Sequence, residues 1–188
     1  AVGTNALRLT TGAGNTAIGS NVLGVNNTGA SNFGGGNAAL ARNTTGSNNV
    51  GLGVDALSFN LSASNNTAVG YQAGYANTTA QFGTFIGRIA GTANTTGTQN
   101  TAIGNATLSG NTTGAFNSAM GSVALLSNTT GSFNVAVGNE SLYSNTTASN
   151  NTAVGYQAAY ANTTGTSLVA VGYQALDSNT TGVNNSAF

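Results

Sequence analysis

Few residues in this chain can do covalent or acid–base chemistry. Among 188 residues the carboxylates are Asp55, Glu140 and Asp177 and the bases are Arg8, Arg42 and Arg88, while His, Cys, Lys, Pro and Trp are absent. Without His or Cys there is no imidazole base, no thiolate nucleophile and no nitrogen–sulfur zinc site. Metal-free acid–base catalysis needs two neighbouring carboxylates, and these three lie far apart in the chain. The expectation is therefore a non-enzyme without cofactor or metal. A net charge of zero offers no footprint for nucleic acid or an anionic membrane. Apolar runs of only a few residues argue against membrane insertion.

Two other residue types offer recognition chemistry. The six tyrosines, Tyr71, Tyr75, Tyr143, Tyr156, Tyr160 and Tyr173, are a candidate contact surface for a cell-surface glycan or protein receptor, because a phenol pairs an apolar body with a hydroxyl. Asparagine recurs as Asn-x-Thr/Ser, the acceptor pattern for N-glycosylation.

The elements that must position these residues follow from a period. Asn, Thr and Gly supply nearly half the chain, a composition that also marks disordered tracts. Here, however, a glycine after a small apolar pair recurs at Gly3, Gly19, Gly36, Gly53, Gly70, Gly87, Gly104, Gly121, Gly138, Gly155 and Gly172, every 17 residues apart from a first interval of 16. With this glycine at position 5, the unit approximates NTAVGYQALxxNTTGxx. Segments 64–79 and 149–164 differ at one residue and lie five units apart, which suggests duplication of blocks of repeats.

Seventeen residues are too few for a helix hairpin or a propeller blade. They suit one coil of an all-β solenoid, a β-roll or β-helix, with two or three short strands per coil. Eleven coils stacked at about 4.8 Å would give a rod roughly 53 Å long. Residues 1–188 form a single repeat array, read as a segment of a longer fibre protein. The absence of proline fits strands that must donate every N–H, and the Gly, Asn and Thr content disfavours helix.

Each column then has an expected role. Position 4 (Val2, Ile18, Leu52, Val69, Ile86 and onward) and position 9 (mostly Leu, as Leu7, Leu23, Leu40) are expected to face inward as two core columns. Position 3, Ala or Gly except at Phe85, alternates with position 4 and is expected to face outward. With position 8, mostly Ala, it would pack against another chain in a parallel homo-oligomer, a homotrimer. Position 12 is Asn in all ten units from the second onward: Asn26, Asn43, Asn60, Asn77, Asn94, Asn111, Asn128, Asn145, Asn162 and Asn179. Stacked asparagines can hydrogen-bond from coil to coil, so this column is expected to be a structural ladder, and position 1 a second ladder broken at Gly83 and Leu168. Every position-12 Asn opens a sequon, but bulky glycans cannot sit about 4.8 Å apart. All charges and all tyrosines fall at positions 6, 7, 10 or 11, the expected solvent face.

The runs 66–70 (NTAVG), 100–104 (NTAIG) and 151–155 (NTAVG) resemble the Ser-Val-Ala-Ile-Gly repeats in the heads of trimeric autotransporter adhesins. The fuller NTAVGYQA followed by NTTG resembles repeats in bacteriophage tail-fibre and related bacterial fibre proteins. The resemblance covers the whole chain. It implies a trimeric left-handed β-roll or β-helix, extracellular, on a cell surface or on a virion, serving as the shaft or head of a fibre that supports adhesion or host attachment. The present unit is longer than the adhesin repeat, so an extra turn must be accommodated.

Two other functions compete. Asn-x-Thr ranks on a flat face could bind ice. The segment 69–73 (VGYQA) also fits the hexapeptide pattern of left-handed β-helix acyltransferases, but that family relies on a catalytic His and this chain has none.

Overall fold

A computed structural model describes all 188 residues. The chain winds as a parallel β-solenoid in which each coil contributes one short strand to a single sheet of eleven strands, from β1 (Thr16–Ile18) through β5 (Thr84–Ile86) to β11 (Ser186–Ala187), in strict sequence order. Neighbouring strands pair parallel and in register, as Thr67 with Thr84, Ala68 with Phe85 and Val69 with Ile86. A 17-residue unit therefore puts each residue on top of its own repeat. The first interval is one residue short, yet Val2 still meets Ile18, its position-4 counterpart, through an isolated bridge.

Two or three strands per coil were expected, and only one forms. The remainder of each coil is a succession of tight turns, because positions 7, 9 and 17 take the left-handed conformation, as at Asp55 (φ 58), Leu57 (φ 51) and Asn65 (φ 62). A chain that turns every second residue cannot extend. It still bonds coil to coil: of 123 backbone hydrogen bonds only 20 lie within the strands, so stacking is maintained mainly by the turns, as in Leu40 N–H to the Ala56 carbonyl at 2.9 Å. Position 5 must be glycine. Gly70 has φ +134, and a Cβ there would lie 2.7 Å from the carbonyl carbon of Gly87 in the next coil, a conformation and a separation open to glycine alone.

The faces of the strand are the reverse of those expected. Position 3 points into the coil, with Ala17, Ala68, Phe85, Ala102 and Ala136 fully buried. Position 4 points out, leaving Ile18 51 %, Met120 49 % and Ile86 38 % exposed. Position 8 is also interior, as at Ala39, Ala56, Ala73 and Ala124. Alternation along the strand holds; the parity is set by position 1, whose Asn must be inside to bond the turn at position 15, so position 3 is inside as well. The interior is already occupied by Leu at position 9 and Asn at positions 1 and 12, and only a methyl fits at position 3. The small residues at positions 3 and 8 thus fill the solenoid's own core and carry no argument for a neighbouring chain. Position 9 is interior as expected, through Leu23, Leu40, Leu57, Leu108, Leu125 and Leu142, each burial worth about 1.5–3 kcal/mol.

Where the core pattern lapses, neighbours compensate. Phe85 is the large exception at position 3, and a Cβ at Gly74 would lie 2.8 Å from its ring and one at Gly83 2.6 Å from it, while one at Gly91 would overlap it. Three glycines in two adjacent coils make room for one ring. On a smaller scale, Val22 stands where most coils have Ala, and the Gly34 position in the next coil has no room for a methyl beside it.

Candidate functional site

The rod has no pocket and no clustered metal-ligating side chains. Its chemistry is arranged in columns parallel to the axis, two inside and two outside.

Inside, position 12 forms the ladder read from the sequence. Asn26 through Asn162 at this position are 0 % exposed, and Asn179 at the last coil is partly covered. Each Nδ2 donates one hydrogen to the Oδ1 of the Asn below, as Asn43 to Asn26 at 2.6 Å, Asn111 to Asn94 at 2.7 Å and Asn162 to Asn145 at 3.0 Å. The other hydrogen goes to the position-15 carbonyl of the same coil, as Asn111 to Gly114 O at 2.9 Å. A carboxamide is suited to this because it carries donor and acceptor on one planar group, and no buried side-chain N or O lacks a partner. The column begins at Thr10, whose hydroxyl accepts from Asn26 at 2.8 Å. Since each Nδ2 is buried and both its hydrogens are engaged, the folded coil withholds the atom that N-glycosylation would modify.

The position-1 ladder is segmented. Rungs run from Asn15 to Asn66 and from Asn100 to Asn151, with gaps at Gly83 and Leu168, 85 residues apart. The Phe85 ring lies over Gly83 and Leu168 is itself buried, so an apolar group occupies each gap. Each segment starts the same way. The amides of Asn15, Asn100 and Asn185 turn to the position-12 side chains Thr10, Asn94 and Asn179, at 3.4, 3.2 and 3.1 Å. The five-coil echo in the sequence is thus also a hydrogen-bonding unit.

Outside, the sheet presents a strip made of position 4, which was expected in the core, and position 2. Position 2 (Thr16, Phe33, Val50, Thr67, Thr84) and position 4 (Ile18, Leu52, Val69, Ile86, Ile103) alternate without one charged residue along all eleven strands. Phe33, Val135 and Val171 are 36–37 % exposed in this strip. The signal available was the polar Asn at position 1, which fixes the parity of the strand.

The second outer feature is aromatic. Tyr71, Tyr156 and Tyr173 at position 6 are exposed, and Tyr75, Tyr143 and Tyr160 at position 10 are half-buried. Five of the six, all but Tyr71, pair with another ring. Tyr143 stacks on Tyr160 with centroids 5.1 Å apart, Tyr156 on Tyr173 at 5.4 Å, and Tyr75 meets Phe59 edge-on at 4.8 Å. Arg42 lies over the Phe59 ring at 4.0 Å. Between the tyrosine columns Gln174 donates to Gln157 at 2.8 Å and Gln157 donates to Glu140 at 2.6 Å. A further stack, Phe116 on Phe133 at 4.9 Å, lies at position 17, which the sequence reading did not single out. Phe82, Phe116 and Phe133 at that position were its only trace.

Threonine at position 13 is spent on the stack, its hydroxyl donating to the carbonyl of the next coil, as Thr78 to Thr95 O at 3.0 Å. At position 14 Thr or Ser is exposed in every coil.

The chain matches no protein-family model, no curated protein and no solved structure.

Proposed function

We propose that this chain is a structural segment of an extracellular or virion fibre, a shaft or head that supports adhesion or host attachment, and that it assembles as a parallel homotrimer through the outer face of its sheet. The observation that carries the reading is the unbroken buried Asn column from Thr10 to Asn179, which links every coil to the next. Such a rod bends only by breaking paired buried amides, each costing about 1–3 kcal/mol when left unsatisfied.

The trimer rests on the strip at positions 2 and 4. It is about 50 Å long by coil spacing and uncharged; position 4 is apolar along its length with Gly35 the one lapse, while position 2 mixes Thr and Ser with Phe and Val, and monomers seldom leave so long a row of apolar side chains in water. Three such strips facing a common axis would cover one another, and in-register parallel strands favour parallel chains. The test is native mass spectrometry with light scattering on the wild type and on Ile103→Lys/Val137→Lys. The wild type is expected as a trimer and the variant as a folded monomer with an unchanged far-UV CD spectrum. A wild type that is a stable monomer defeats the trimer.

One observation favours a second reading, ice binding. The position-14 hydroxyls stay exposed and in register, although the Asn half of each Asn-x-Thr rank is buried. A thermal hysteresis assay decides it: no hysteresis removes this reading.

A further inference from the structure

The five-coil echo places one surface patch on the rod twice. In the first copy Tyr71, Gln72 and Tyr75 lie on one coil, with Asp55 and Phe59 on the coil before. In the second, Tyr156, Gln157 and Tyr160 lie on one coil, with Glu140 and Tyr143 on the coil before. Duplication alone explains the near-identical coils 64–79 and 149–164, but not the preceding ones. There the acid has changed from Asp to Glu while staying at position 7. The ring that packs on the position-10 tyrosine has moved from position 11 (Phe59) to position 10 (Tyr143), yet the pairing persists at 4.8 and 5.1 Å. A paired ring beside an acid and a glutamine thus recurs with different residues, although the hydrogen bond from glutamine to acid forms only in the second copy.

We infer that these two patches are equivalent carbohydrate-binding subsites that display the fibre's receptor contact bivalently. The inference rests on the fibre reading above and gives its partner a chemical class. Paired rings present edges and hydroxyls to solvent beside an amide that both donates and accepts and a carboxylate that accepts. That set suits a polyhydroxyl ligand, whose hydroxyls need both partners and whose C–H faces need an apolar surface. Each patch carries one acid, balanced in the first by Arg42 over the Phe59 ring, and neither gathers the positive charge that an anionic ligand needs. The patch alone is too small to anchor a protein partner, because two coils span only about 10 Å along the axis, whereas a stable protein interface takes about 800 Å² from each side. The surface has no pocket, so each subsite is shallow and weak. Five coils separate the copies by about 24 Å, and a polymeric saccharide that engages both gains avidity that a short one cannot.

The experiment measures binding of cellohexaose, chitohexaose, dextran and mannan to the whole chain, by calorimetry for the hexasaccharides and affinity electrophoresis for the polymers. Three variants are compared with the wild type: Tyr71→Ala/Tyr75→Ala, Tyr156→Ala/Tyr160→Ala, and all four together. At least one saccharide is expected to bind. Either double variant should lower the stoichiometry for the hexasaccharide from two to one and weaken the polymer on the order of a hundredfold; the quadruple variant should not bind. The proposal is overturned if no saccharide binds the wild type, or if the quadruple variant binds as the wild type does. Light scattering and CD on the same samples keep the two readings apart. A folded trimer that binds no saccharide loses the subsites and keeps the fibre, whereas a monomer that binds at both patches loses the trimer and keeps the subsites.

Discussion

Replacing Phe85 by Ala removes the largest buried side chain of the rod from a site that cannot collapse around the loss. Its neighbours on three sides are Gly74, Gly83 and Gly91, which have no side chains to move into the space. Phe→Ala in a core costs about 3–5 kcal/mol, and this environment places the expected value at the upper end. A compensated variant makes the sharper test. Phe85→Ala combined with Gly83→Asn and Gly91→Leu restores the residues that most other coils carry at positions 3, 1 and 9. The new Leu takes the left-handed backbone that Leu57 holds at φ 51, close to the φ +57 of Gly91, and the new Asn fills the gap between Asn66 and Asn100. The triple variant should therefore recover most of the loss, to within about 1 kcal/mol of the parent. Chemical denaturation followed by CD measures the total, and hydrogen exchange across coils 66–116 localises it, since repeat arrays open by coil as well as globally. A Phe85→Ala variant that loses less than about 1 kcal/mol, or a triple variant no more stable than the single one, would refute the account of Phe85 as a ring housed by three glycines.

The other columns make comparable predictions. Asn111→Ala orphans one N–H of Asn128, while Asn94 Oδ1 and Gly114 O each keep Asn100 Nδ2 as a donor, so it should cost about 1–3 kcal/mol, the penalty of one unsatisfied buried group; Thr113→Ala, on the exposed side of the same turn, should change stability by less than about 0.5 kcal/mol. Val123 is a β-branched residue at φ 52, an outlier conformation, so Val123→Asn should raise stability by up to about 1 kcal/mol, read as a higher melting temperature. Gly70→Ala should lower it by more than about 2 kcal/mol, because the new methyl meets the Gly87 backbone, and an unchanged melting curve would show that the position-5 glycine is dispensable.

Much of the architecture was legible without coordinates. Glycine every 17 residues, invariant Asn26 through Asn179 and the missing proline identify a parallel stack, because only an in-register stack repeats one residue's surroundings in every coil. The tyrosines and charges on the turns were legible for the same reason. The inner and outer faces of the strand were not. Size alone suggested that Val69 and Ile103 belonged inside and Ala68 and Ala102 outside, and the coil inverts this because two amide columns and the leucines leave room only for methyls.

What the repeat determines unaided is therefore the period, the class of fold and the identity of the ladders, since these follow from local stereochemistry and from what a stack demands of each position. What only the tertiary structure decides is the parity of the strand and the meaning of the exceptions. Interior volume is shared between coils, so Gly74, Gly83 and Gly91 become intelligible only beside Phe85, and the apolar strip at positions 2 and 4 becomes an outer face only once the interior is full.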